Sequence, residues 1–188
     1  MNDDAALVQR CLDGDEAGRR ALVEQYQGIV FAVCYRMLGQ REDAEDVSQD
    51  VFLRVFRSLH RWDSDRPLKP WLLTIAANRC RTALERRSRL PTPSEAAEHQ
   101  ATEDGRPRRH ELAEELELAL GTLRDDYRMC FVLFYEQELS CARIGEILGC
   151  PEGTVKTWLH RARKELAAHL ERRGLSPRPH FAPEHAAG

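Results

Sequence analysis

The chain has 188 residues, 42% of them hydrophobic, a formal charge of −3 and six cysteines. That length suits one ordinary domain or two small ones, and no run of eighteen apolar residues or signal-peptide pattern is present, so a cytoplasmic protein without membrane insertion is expected. Cys11, Cys34, Cys80, Cys130, Cys141 and Cys150 are scattered with no Cys-x-x-Cys pair, which points to neither a zinc site nor a disulfide framework; most are expected to be buried as small hydrophobes.

Helical spacing begins at Asp4. A first helix holds Ala6, Leu7, Cys11 and Leu12, and a second runs from Asp15 to Leu38, with Leu22, Val23, Tyr26, Ile29, Val30, Val33, Cys34 and Met37 inward and Gly39 at its end. The third spans Arg41 to His60 and turns Ala44, Val47, Val51, Val55, Phe56 and Leu59 inward. The segment Trp62 to Pro70, with Asp, Ser and two prolines, reads as a loop. A fourth helix follows from Pro70 to Arg89 and carries Leu72, Leu73, Ile75, Ala76, Cys80 and Leu84.

Charge is segregated beyond this point. Arg79, Arg81, Arg86, Arg87 and Arg89 form a basic block, and the acidic stretch after it includes Glu95, Glu98, Glu103, Asp104, Glu111, Glu114, Glu115 and Glu117. Periodicity lapses from Pro91 to Arg109, which reads as a linker; the Pro-rich tail from Gly174, with His180 and His185, reads as unstructured. The expected division is therefore 1–90, a linker 91–109, a second helical unit 110–173 and a tail 174–188. The fold class is all-α, in two small domains.

In the second unit, one helix passes through Leu112, Leu116, Leu120 and Leu123, and another through Tyr127, Cys130, Phe131, Leu133 and Phe134. After them, Ser140 can cap a short helix whose Ile144, Ile147 and Leu148 share a face, and Gly149 stops it. A longer helix starts around Pro151 to Thr154 and buries Val155, Leu159, Ala162 and Leu166, leaving Lys156, Thr157, His160, Arg161, Arg163 and Lys164 largely off that stripe. A helix pinned to its partner by one face offers the other to the DNA major groove. The alternative for such a hairpin is a solvated basic surface. No P-loop, paired metal ligands or nucleophile with a nearby base is present, so neither an enzyme nor a bound metal or cofactor is expected.

The motifs DAEDVSQDVFLRVF and WLLTIAANRCRTALERR in the first unit, and GTVKTWLHRARKEL in the second, together resemble an extracytoplasmic-function sigma factor of bacterial RNA polymerase. The resemblance covers nearly the whole chain and implies a sigma region 2 bundle joined by a flexible linker to a sigma region 4 helix-turn-helix. It implies as partners core polymerase (through the beta-prime coiled coil and the beta flap), promoter DNA and an anti-sigma protein. Asp46, Gln49, Asp50, Phe52 and Arg54 would meet polymerase, with Phe52 exposed. Asp65, Lys69, Trp71, Asn78, Arg79 and Arg81 would meet the melted minus-ten element, although a tryptophan entering a helix has core packing as its ordinary use. Thr154, Lys156, Thr157, His160, Arg161, Arg163 and Lys164 would meet the minus-thirty-five element.

Two positions depart from the family pattern. Trp158 stands where arginine is common, and is expected to stack on a neighbouring helix; Arg124 replaces a proline that often opens the next helix. A flexible linker of about 18 residues averages about 23 Å between its ends and reaches about 60 Å only when stretched. The free chain is therefore expected to be compact, with polymerase separating its heads. The rival reading is a stand-alone helix-turn-helix regulator that uses residues 20 to 90 for self-association or sensing.

Overall fold

The structure, a computed structural model, describes residues 3–89 and 108–175, with side chains described except at 108–114. In chain order the helices are α1 (Asp3–Leu12), α2 (Glu16–Leu38), α3 (Arg41–Ser58), α4 (Leu68–Arg89), α5 (Arg108–Thr122), α6 (Asp125–Phe131), α7 (Cys141–Leu148) and α8 (Glu152–Arg172). A 3-10 turn, Leu59–Arg61, follows α3, and a π-turn, Val132–Glu136, extends α6. No strand occurs among the described residues, and the fold is all-α in two helical domains. Most of the expected linker and all of the tail beyond Leu175 lie outside the described residues.

Local chemistry sets the helix ends. Asp15 accepts the Ala17 amide at 2.8 Å to open α2, and Gly39, left-handed at φ 74°, closes it. The fourth helix departs from the sequence reading: it begins at Leu68, two residues inside the expected loop. Leu68 is completely buried and anchors the first turn, where Pro70 is tolerated because amides there have no partner within the helix. The third helix loses α geometry after Ser58, short of the expected His60, and α5 begins at Arg108, inside the segment expected as linker.

In the first domain, Leu22, Val30, Val33 and Met37 of α2 close against Val51 and Val55 of α3 and Leu72, Leu73 and Ala76 of α4, all essentially inaccessible. Burial of each such side chain contributes about 1.5–3 kcal/mol. The inward face of α3 differs from the expected stripe: Ser48 and Phe52 are buried, while Val47 and Phe56 are only half-buried. Ser48 can go inside because its hydroxyl donates to the Ala44 carbonyl at 2.6 Å, leaving no polar group unpaired.

The second domain packs Ala119, Leu120, Leu123, Tyr127, Ala162 and Leu166 into one cluster, with Trp158 against it. Its other apolar residues, including Met129, Leu133, Ile144, Ile147 and Leu159, join the core of the first domain. The two domains therefore meet over a continuous apolar contact, with polar groups around it. Arg36 of α2 pairs with Glu117 at 2.6 Å and Glu136 at 2.9 Å, Arg128 donates to the Met37 carbonyl at 2.8 Å, and Lys69 donates to the Gln137 carbonyl at 3.0 Å.

Candidate nucleic-acid and polymerase interfaces

The helix-turn-helix is built by three small residues and a proline. Ser140 accepts the Arg143 amide at 3.2 Å and caps α7; Gly149, left-handed at φ 68°, ends it. The less obvious residue is Gly145, which the sequence reading missed. A Cβ there would stand 2.7 Å from the Cys150 carbonyl oxygen, so the turn returns across this helix only where no side chain intervenes. Its signal is a glycine inside an apolar helical stripe, four residues before the turn glycine.

Pro151 then opens α8, and its carbonyl accepts the Thr154 amide at 2.9 Å. Val155, Leu159, Ala162 and Leu166 face inward as expected. Lys156, Thr157, His160, Arg161 and Lys164 are exposed, and Lys156, His160 and Lys164 fall on one line at four-residue spacing. Thr154 and Arg163 are half-buried. Arg161 and Arg163 are drawn sideways toward the tyrosines of the neighbouring helix: Arg161 donates to the Tyr127 hydroxyl at 3.0 Å and Arg163 to the Tyr135 hydroxyl at 3.2 Å. The Tyr127 contact also holds the Arg161 guanidinium above its usual pKa. Trp158 is half-buried and packs on both apolar clusters, in agreement with the stacking expectation.

On α3, Asp46 and Gln49 are exposed and share a face with Asp50 and Leu53. Phe52 does not join them. It is only 8% exposed and points into the core, whereas Leu53 is 56% exposed, the most open of the large apolar side chains among the described residues. The spacing 46, 49, 50, 53 was the available signal. Asp50 is committed inside the protein: it pairs with Arg79 of α4, and Arg54 lies 3.9 Å from the same carboxylate oxygen.

The loop before α4 folds on Asp63, which accepts the Asp65 amide at 3.0 Å on its side chain and the Arg66 amide at 3.0 Å on its carbonyl. Asp65 is exposed. Trp71 and Trp62, both half-buried, line a cleft of about 300 Å³ with Arg61, Arg66 and Thr74; Arg143, Glu146 and Ile147 of α7 form its far wall. Trp71, Asn78 and Arg81 share a face of α4, with Asn78 and Arg81 exposed. Arg81 borders a second cleft of about 430 Å³ against Arg124, Asp125 and Met129 of α6. Lys69 and Arg79 are placed differently from the others: the first is bonded to Gln137 of the second domain, and the second is ion-paired, with its side chain only 16% exposed. The second domain thus lies across the same face of α4 that carries Trp71 and Arg81.

Comparison with known proteins gives this geometry its family. The family model for Sigma-70 region 2 matches residues 22–90, and that for Sigma-70, region 4 matches residues 113–166. The chain is 34% identical to the ECF RNA polymerase sigma factor SigW of Bacillus subtilis over 87% of this chain and 94% of the relative. It is 31% identical to the ECF RNA polymerase sigma-E factor of Escherichia coli K12, over 87% and 92%. Among solved structures, CnrH in complex with the cytosolic domain of CnrY aligns with a TM-score of 0.65 at 28% identity, covering 89% of this chain and 96% of that one. The sigma factor RpoE of Bartonella quintana, solved with the anti-sigma factor NepR, shares the fold with a TM-score of 0.66 at 23% identity, covering 81% and 96%. These matches leave no room for a stand-alone regulator: the chain belongs to the extracytoplasmic-function sigma factors of the sigma-70 family and acts in transcription initiation by RNA polymerase.

Proposed function

We propose that the first domain, residues 1–90, grips core polymerase and the melted minus-ten strand, and that the second, residues 110–173, holds the minus-thirty-five duplex. The observation that carries this reading is the separation of two polar faces on one chain: Asp46, Gln49 and Leu53 on α3, and Lys156, Thr157, His160 and Lys164 on α8, all exposed. On α3 the acidic and amide groups orient a basic partner helix, and Leu53 supplies apolar contact area in place of the buried Phe52. On α8 the lysines meet phosphates, while Thr157 and His160 reach base edges. Trp71, Asn78 and Arg81 take the separated strand by stacking and phosphate contact. The chain contributes recognition and no catalysis, and it works in the cytoplasm, where promoter DNA is.

The docked domains give the free chain a closed form in which α6 and α7 wall the clefts at Trp71 and Arg81 and narrow access to the minus-ten face. Polymerase opens it. An anti-sigma protein, such as the one bound to the Bartonella relative, would hold the sigma factor away from polymerase. Retention of sigma-free core polymerase by the tagged chain tests the assignment of α3: the unaltered protein retains the enzyme, and Leu53→Asp loses at least tenfold of that retention with an unchanged thermal midpoint. Equal retention by the variant removes α3 from the interface.

A further inference from the structure

We propose that Cys34 and Cys80 form an oxidisable dithiol, a modification site at which a peroxide joins α2 to α4 through a reversible disulfide. The two sulfurs meet at the centre of the first domain, where Cys80 donates to the Cys34 Sγ across 3.8 Å. Both residues are fully buried. A disulfide places its sulfurs about 2.05 Å apart, so bond formation needs rotation of the two side chains and an approach of about 1.8 Å. Sequence offers no hint of this pair, because 46 residues separate its members.

The surroundings give the two thiols different roles. The Cys80 hydrogen bond draws the Cys34 thiol below its usual range against the opposing effect of burial. Cys80 moves the opposite way, chiefly because it is the donor to Cys34, and burial adds to this. The remaining thiols are all held up by burial, Cys130 to about 12. With Cys34 as the nucleophile, Cys80 is the resolving partner.

The chemistry balances with hydrogen peroxide as oxidant. Cys34 thiolate attacks one peroxide oxygen, breaks the O–O bond and becomes a sulfenic acid while hydroxide leaves. Cys80 then attacks the sulfenic sulfur, the S–S bond forms and the S–O bond breaks. In total the two thiols lose two protons and two electrons, and the peroxide leaves as two waters. Because neither sulfur touches solvent, attack waits on a local opening of the α2–α4 contact.

The site acts on the helix that matters for the proposed minus-ten contacts. Cys80 stands between Arg79, which is paired to Asp50 of α3, and exposed Arg81. Drawing α4 toward α2 at this point shifts both arginines, and this functional half of the inference rests on the minus-ten reading of α4.

The test uses the full-length reduced protein, treated with hydrogen peroxide, alkylated and mapped without reduction. The expected result is a loss of two thiols and a Cys34–Cys80 linkage that dithiothreitol reverses. In Cys80→Ala, a dimedone adduct is expected on Cys34. Intact thiols at both positions while Cys141 and Cys150 react, or a linkage mapped elsewhere, would overturn the site. Run-off transcription with core polymerase then separates the two readings: the linked protein is expected to give at least fivefold less transcript than the reduced protein, with recovery in dithiothreitol. Equal transcription by both forms overturns the functional half alone, and failure of the reduced protein to transcribe overturns the minus-ten reading itself.

Discussion

Gly145 shows how one missing carbon sets the DNA-reading geometry. The Cys150 amide reaches back to the Gly145 carbonyl at 3.0 Å, and the Cys150 carbonyl occupies the space of the absent Cβ. In Gly145→Ala the turn must move away, at a cost of about 1–3 kcal/mol for overpacking, which meets or exceeds the benefit of about 1 kcal/mol that alanine brings to an ordinary helix position. Thermal unfolding is expected to show a lower midpoint, and duplex binding by α8 is expected to weaken in parallel. An unchanged midpoint would mean that the turn is looser than the structure shows. On α3 the neighbours Phe52 and Leu53 part ways: Phe52 fills the core, and Leu53 faces out, where the proposed polymerase contact would use it.

At the scale of elements, α5 is tied to the end of α8 by Arg173, whose Nε donates to both oxygens of Glu115 at 3.1 and 3.0 Å. The Arg173 hydrogen bonds hold the Glu115 carboxyl below its ordinary value of 4.5. The folded chain therefore keeps this group ionised where the unfolded chain has begun to bind a proton. Its stabilisation is complete above the unfolded value near 4.5 and is lost as pH falls through the depressed folded value. Glu115→Gln is expected to lower the thermal midpoint at pH 7 and to lower it by less at pH 3, below the unfolded value. An equal deficit at both values would assign the effect to packing.

The elements themselves were largely legible in the sequence. Eight helices at 3.6-residue spacing, the Asp15 and Ser140 caps and the Gly39 and Gly149 stops are local signals, and local signals survive folding. The inward face of α3 and the turn after it hold the expected Ala44, Val51, Val55 and Leu59, with Val47 and Phe56 packed half-buried on the core, and gain Ser48, because a serine that bonds its own helix carbonyl has no reason to stay outside. The start of α4 was misplaced because two prolines read as loop, although the second fits a first helical turn. Arg79 read as a phosphate contact, and its use by Asp50 depends on how α3 crosses α4, which no linear pattern encodes.

The whole molecule adds what neither residues nor helices specify. Arg128 donates to the carbonyls of Leu120, Gly121 and Leu123 at the end of α5 and also to Met37 at the end of α2, so a single guanidinium joins the two domains through backbone acceptors. Such acceptors have no sequence signature. Burial, with the charge of Glu117, holds the Glu136 carboxyl above its usual range against the pull of Arg36, so the desolvation of this ion pair opposes its attraction. Arg36→Glu would set three carboxylates together at this seam. Small-angle scattering is expected to show an increased radius of gyration at unchanged helix content, whereas an unaltered radius would show that the domains stay closed without this ion pair.

Two domains that meet in the free chain and part on the enzyme are the basis of promoter choice in this account. Run-off transcription with sigma-free core polymerase tests it most directly, on templates carrying both promoter elements, either one alone, or neither. The account predicts a discrete transcript from the two-element template, lost with the chain bearing Lys156→Ala, His160→Ala and Lys164→Ala together. A chain that binds duplex through α8 yet confers no start site on the polymerase would contradict it.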